Sequence, residues 1–112
     1  RQRVALARGL IFDPNILLMD EPFASLDELT RTEMNQELLR IIEASDKTVV
    51  FVTHHIPEAV FLSDRILVMS HRPGRILEDV AIDLPRPRTL GVRHTQQFQD
   101  YAKALERHFH PD

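Results

Sequence analysis

The chain has 112 residues, 43% of them hydrophobic and 28% charged, enough for one modest domain and not for two. A net charge of −3 and a pI near 6.1 argue against a broad basic surface for nucleic acid, and zero cysteines remove disulfide frameworks and thiolate metal sites. No apolar run approaches the roughly 18 residues of a membrane-spanning helix and no signal segment opens the chain, so a soluble, cytosolic protein is expected.

The first stretch, "RQRVALARGLIF", sets Val4, Ala7 and Ile11 at helical spacing with Leu10 beside them. It reads as a helix without its own beginning, and the start at Arg1 instead of methionine suggests a piece of something longer. Asp13, Pro14 and Asn15 break that helix, since proline disfavours helical geometry in the residue before it. Ile16 to Met19 then form a short apolar run, expected to be a strand buried on both faces of a parallel sheet.

After Asp27 a helix is predicted over Glu28 to Ala44, with Met34, Leu38, Ile41 and Ile42 on one stripe. Ser45, Asp46 and Lys47 make the turn into "TVVFV", Thr48 to Val52, a second buried strand. Strand, helix, strand in that order is a right-handed crossover with parallel strands. Pro57 suits the first turn of a short helix "PEAVFL", "RILVM" from Arg65 to Met69 is a third strand, and Ile76 to Ile82 can return antiparallel beyond a Pro-Gly turn. "LPRPR", Leu84 to Arg88, is stiff and extended, and a last helix is predicted over about Gln96 to His108. The domain reading is residues 1–84 as one α/β body and 85–112 as a proline-rich linker with a terminal helix.

The chemistry concentrates at "ILLMDEPFASLD". Ligands of parallel sheets gather at the carboxyl ends of the strands, where Asp20 and Glu21 follow the first strand and His54 and His55 the second. Carboxylates are rarely kept beside apolar strands unless a cation or hydrogen bonds compensate their lost hydration. Asp20 is placed to hold Mg2+ directly or through water, Glu21 to orient or deprotonate an attacking water, and His54 to meet the same ligand with a ring nitrogen. This is a pattern for phosphoryl transfer, in which positioning and charge neutralisation supply most of the acceleration. The plain alternatives are a strand-ending turn with exposed carboxylates, a structural histidine at His54, and a simple helix cap at Asp27, the last compatible with a functional role.

At these residues the sequence resembles the ATP-binding subunit of an ABC transporter. "ILLMDEP" looks like that family's Walker B segment, "ASLD" like its D-loop, "VTHH" like the strand ending in its switch histidine, and "RQRVALARGL" like the helix after its signature motif. "HRPGRI", "IDLPRPR" and "FQDYAKALERHF" look like the nitrate, sulfonate and taurine importer subfamily of bacteria. The resemblance implies a P-loop NTPase three-layer α/β fold, here incomplete, with a mostly parallel sheet and a C-terminal antiparallel hairpin. It implies ATP and Mg2+ as ligands, Asp20 on the metal, Glu21 as catalytic base, His54 on the γ-phosphate, and Asp27 linking two active sites across a homodimer. It also implies transmembrane permease subunits, an indirect link to a substrate-binding protein, and a place on the cytoplasmic face of the cell membrane. His55 stands where the family more often has an acid, and no role is assigned to it.

The family's phosphate-binding loop, GxxxxGK[ST], its glutamine loop and its signature motif are not in these 112 residues. Half a site is therefore expected, unable alone to bind ATP tightly or hydrolyse it, with uncovered apolar surface that should make the chain aggregate or dimerise. Two rival readings are a non-enzymatic remnant and a piece of a non-transport ABC ATPase of DNA repair or translation. The six histidines show no ligand spacing, the Phe98, Tyr101 and Phe109 stripe reads as a packing face, and Arg86 and Arg88 read as a solvated loop.

Overall fold

The structure, a computed structural model, describes residues 15–71 and 74–109. They form an α/β arrangement whose contacts divide into two compact units, the boundary falling between His54 and His55. The expected opening helix lies outside the described residues. No helix among the described residues is long and apolar enough to cross a membrane.

In the first unit, strand β1 (Ile16–Asp20) pairs in parallel with β2 (Thr48–Val52), from Ile16 opposite Thr48 to Asp20 opposite Val52. The connection carries helix α1 (Glu28–Ala44), with the bounds its apolar periodicity predicts. Asp27 caps it: Oδ1 accepts the Thr30 amide at 2.8 Å, satisfying one of the first-turn donors that a helix leaves unpaired. The stripe that is buried is Met34, Leu38 and Leu39 with Asn35, one step round from the expected one, and Ile41 and Ile42 are only half-buried. Phe23, 1% exposed, packs its ring 6.1 Å from that of Phe51.

The expectation of strands buried on both faces is corrected. Both β1 and β2 alternate exposed and half-buried residues, leaving Ile16, Leu18, Val50 and Val52 on an open face while Leu17, Met19, Val49 and Phe51 face inward. A two-stranded sheet has side chains on two faces, and among the described residues only one is covered.

In the second unit, α2 (Ile56–Leu62) precedes β3 (Arg65–Met69), which pairs antiparallel with β4 (Ile76–Ala81) through a register shift at Val68/Met69. The hairpin was legible, but β3 joins β4 in a sheet of its own, so the described residues form two two-stranded sheets and not one mostly parallel sheet. A 3-10 helix (Leu90–His94), unforeseen in the sequence, leads into α3 (Gln96–Glu106), which ends two residues before the expected His108. α2 packs on α3 and on the 3-10 helix, and the core of this unit comprises Val60, Phe61, Leu62, Val68, Ile82, Leu84, Phe98 and Leu105.

Arg86 and Arg88 do not form a solvated loop. Arg88 is 6% exposed and donates to the backbone oxygens of Val60, Phe61 and Ser63 at 3.4, 3.1 and 2.8 Å, as well as to Leu84 and Ile82. Arg86 donates to the Leu62 oxygen at 2.8 Å and pairs with Asp64 at 2.9 Å. Between them they satisfy the carbonyls at the C-terminal end of α2, where a cation also complements the helix dipole.

Candidate active site

The parallel register determines which residues meet. Because Asp20 lies opposite Val52, the residues just beyond the two strands are neighbours, and the Glu21 amide continues the pairing by donating to the Val52 oxygen at 2.7 Å. One step further the Glu21 carboxylate reaches His54, with Oε2 3.3 Å from Nε2. Two residues 33 apart in sequence are thus side by side at the carboxyl end of the sheet.

Glu21 has φ of 46°, the left-handed region that side chains with a Cβ rarely occupy. The conformation is held by its amide bond to Val52 and by a turn in which the Ala24 amide donates to the Glu21 oxygen at 3.2 Å. Strand β1 therefore ends abruptly, and the chain leaves in the direction of Phe23 and Asp27. The Glu21 side chain is 35% exposed and that of His54 70%, so the pair opens to solvent and to any ligand arriving from it.

Asp20 is exposed at the last position of β1. Among the described residues no three His, Asp or Glu side chains converge into a closed metal cage. An exposed carboxylate with a second beside it nevertheless suits Mg2+, which keeps several of its waters and takes one or two carboxylates together with phosphate oxygens. Asp27, five residues past the proline, is the α1 cap and is not brought to Glu21 by any hydrogen bond. Hydrogen bonds from the Thr30 amide, and secondarily from its hydroxyl, hold the Asp27 carboxyl below the ordinary carboxylate range. The cap accordingly contributes stability above the ordinary value, and that contribution is lost as pH falls through the depressed one.

His55, left without a role from the sequence, caps α2: its Nδ1 accepts the Glu58 amide at 3.3 Å. An imidazole does here what Ser, Thr or Asp does at most helix starts, and the proline two residues on was the only sequence signal for a helix boundary.

The site is thus a strand-ending carboxylate pair with a histidine just beyond the adjacent parallel strand and an acidic helix cap six residues after Glu21. No family model matches the chain. The chain is nonetheless a homologue, over nearly its whole length, of ABC transporter ATP-binding proteins. It is 54% identical over 105 residues to the uncharacterized ABC transporter ATP-binding protein MJ0412 of Methanocaldococcus jannaschii, covering 94% of this chain and 38% of that protein. It is 45% identical over 108 residues to the aliphatic sulfonates import ATP-binding protein SsuB of Bacillus cereus, covering 96% of this chain and 42% of the relative. For SsuB of Bacillus thuringiensis the figures are 44% over 109 residues, 97% and 43%. The chain thus spans about two fifths of the length of these relatives.

Proposed function

We propose that these residues work as the C-terminal part of an ATP-hydrolysing, energy-coupling subunit of an ABC importer, with residues 1–84 belonging to a P-loop NTPase domain and 85–112 forming a linker and terminal helix. The observation that carries the reading is the 3.3 Å approach of Glu21 to His54 beside Asp20, at the carboxyl ends of paired parallel strands. Likeness to two sulfonate importers favours sulfonate-type solutes over other cargo. The phosphate-binding loop, glutamine loop and signature would come from sequence beyond this chain, and the chain by itself would be inactive.

In this mechanism Glu21 accepts the proton of the water that attacks the γ-phosphorus of ATP, and the bond to the leaving ADP oxygen breaks in line. His54 holds the Glu21 carboxylate with Nε2 and would contact the terminal phosphate of the same ligand. Asp20 would hold Mg2+, directly or through water, and the ion would supply charge neutralisation at the phosphate oxygens. Asp27, at the start of α1, faces a second ATP-binding subunit and links the two sites. The subunit sits on the cytoplasmic side of the membrane against permease subunits, served indirectly by a substrate-binding protein, and does not bind nucleic acid.

In the full-length gene product, Glu21→Gln should keep ATP binding and lower turnover by at least about 100-fold, the scale on which a positioned general base acts. Turnover equal to wild type would sink the assignment of the base.

A further inference from the structure

Arg31, in the second turn of α1, plays no part in the chemistry above. Its guanidinium turns back past the helix start, where one nitrogen, Nη2, donates to the backbone oxygens of Phe23 at 3.1 Å and Ala24 at 3.3 Å. These carbonyls belong to the short loop that joins Glu21 to Asp27. The same loop is fixed at its other points: the Phe23 ring is buried against Phe51, the Ala24 amide donates to the Glu21 oxygen, and the Leu26 amide donates to the Phe23 oxygen at 3.1 Å. At its far end the Asp27 oxygen accepts the Arg31 amide at 2.9 Å. Arg31 therefore binds the loop through its side chain and the loop's end through its backbone.

We propose that Arg31 is a positioning residue, whose clamp on the Phe23 and Ala24 carbonyls fixes the turn after Glu21 and so the direction in which the Glu21 carboxylate is aimed. The role rests on the reading of Glu21 as catalytic base. Glu21 sits in a backbone conformation it would not choose alone, and such conformations persist only where the surroundings over-determine them. A charged donor on two carbonyls is a strong restraint of that kind, and the planar, preorganised guanidinium loses less freedom in making it than a lysine ammonium on its flexible stem.

The test uses the full-length gene product with Glu21→Gln, Arg31→Met and Arg31→Lys, turnover being normalised to the folded fraction measured by thermal melting. Misplacing a catalytic group by a fraction of an ångström is costly, so Arg31→Met should lower kcat at least about tenfold while KM for ATP stays within about twofold, with Arg31→Lys only partly restoring kcat. Amide exchange at Ala24 and Leu26 should accelerate while Leu38 and Leu39, in the middle of α1, stay protected. Should Arg31→Met fail to fold, Arg31→Lys carries the same readouts. A kcat per folded molecule unchanged in the Arg31 variants, with turnover abolished in Glu21→Gln, overturns the positioning role and leaves the base in place. Turnover unaffected by Glu21→Gln overturns both.

Discussion

Glu21 concentrates the site's energetics in one residue. Its left-handed backbone costs about 1–2 kcal/mol relative to an ordinary conformation, and the cost is met by the amide bond to Val52 and by the turn through Ala24. The strain makes an unusual prediction about stability. Glu21→Gly should leave the chain as stable as wild type or slightly more so, although it removes a side chain and adds backbone entropy, whereas Glu21→Val should destabilise it by about 1–2 kcal/mol. Urea denaturation of the two variants decides this, and equal losses for Gly and Val would show that the conformation carries no strain. Nothing in the sequence signals this backbone, because the residue before a proline is ordinarily expected in extended geometry and a left-handed residue is ordinarily Gly or Asn. The adjacency of Glu21 and His54 was legible, since it follows from two strands of equal length running in parallel.

At the scale of elements, α2 illustrates both what patterning reveals and what it hides. The helix is seven residues long, too short to be stable by propensity, and depends on its ends. Pro57 betrayed its start. Its other end is satisfied from 24 to 28 residues further along the chain by Arg86 and Arg88, a pairing that no local pattern encodes. The alternation of proline and arginine in "LPRPR" suggested a stiff solvated segment because the carbonyls it would meet belong to a distant element. By contrast α1, β2 and β3 were found with their predicted bounds, since capping at Asp27 and runs of β-branched residues are local signals. Removing the Arg88 guanidinium would leave several interior carbonyls without a donor, so Arg88→Met should cost about 2–4 kcal/mol. Arg86 is more exposed and its removal should cost about 1 kcal/mol. A chemical-denaturation midpoint for Arg88→Met close to that of wild type would mean that water replaces the guanidinium there.

At the scale of the molecule, both sheets leave large apolar side chains exposed among the described residues. On the β1–β2 sheet, Ile16, Leu18, Val50 and Val52 are 64%, 69%, 46% and 42% exposed, and the pairing of Leu18 with Val50 makes them one contiguous apolar face. On the β3–β4 hairpin, Leu67, Met69, Ile76 and Leu77 are similarly exposed. Among the described residues each sheet has two strands, which leaves each strand a backbone edge with no strand partner there. Contiguous apolar faces of this kind are seldom left in water, and in relatives more than twice as long there is chain enough to cover them. The 112-residue chain on its own should therefore self-associate at micromolar concentrations, sedimenting above its 13.0 kDa monomer mass in a concentration-dependent way. Leu18→Lys combined with Val50→Thr should shift the distribution toward monomer by placing charge on the open face while keeping β propensity at position 50. In a chain as long as those of the relatives the response should differ: if the face is covered there, the same two substitutions should destabilise it. A chain that sediments as monomer at every concentration and melts cooperatively would show that the open face is tolerated, and would remove the argument that it is built to be covered.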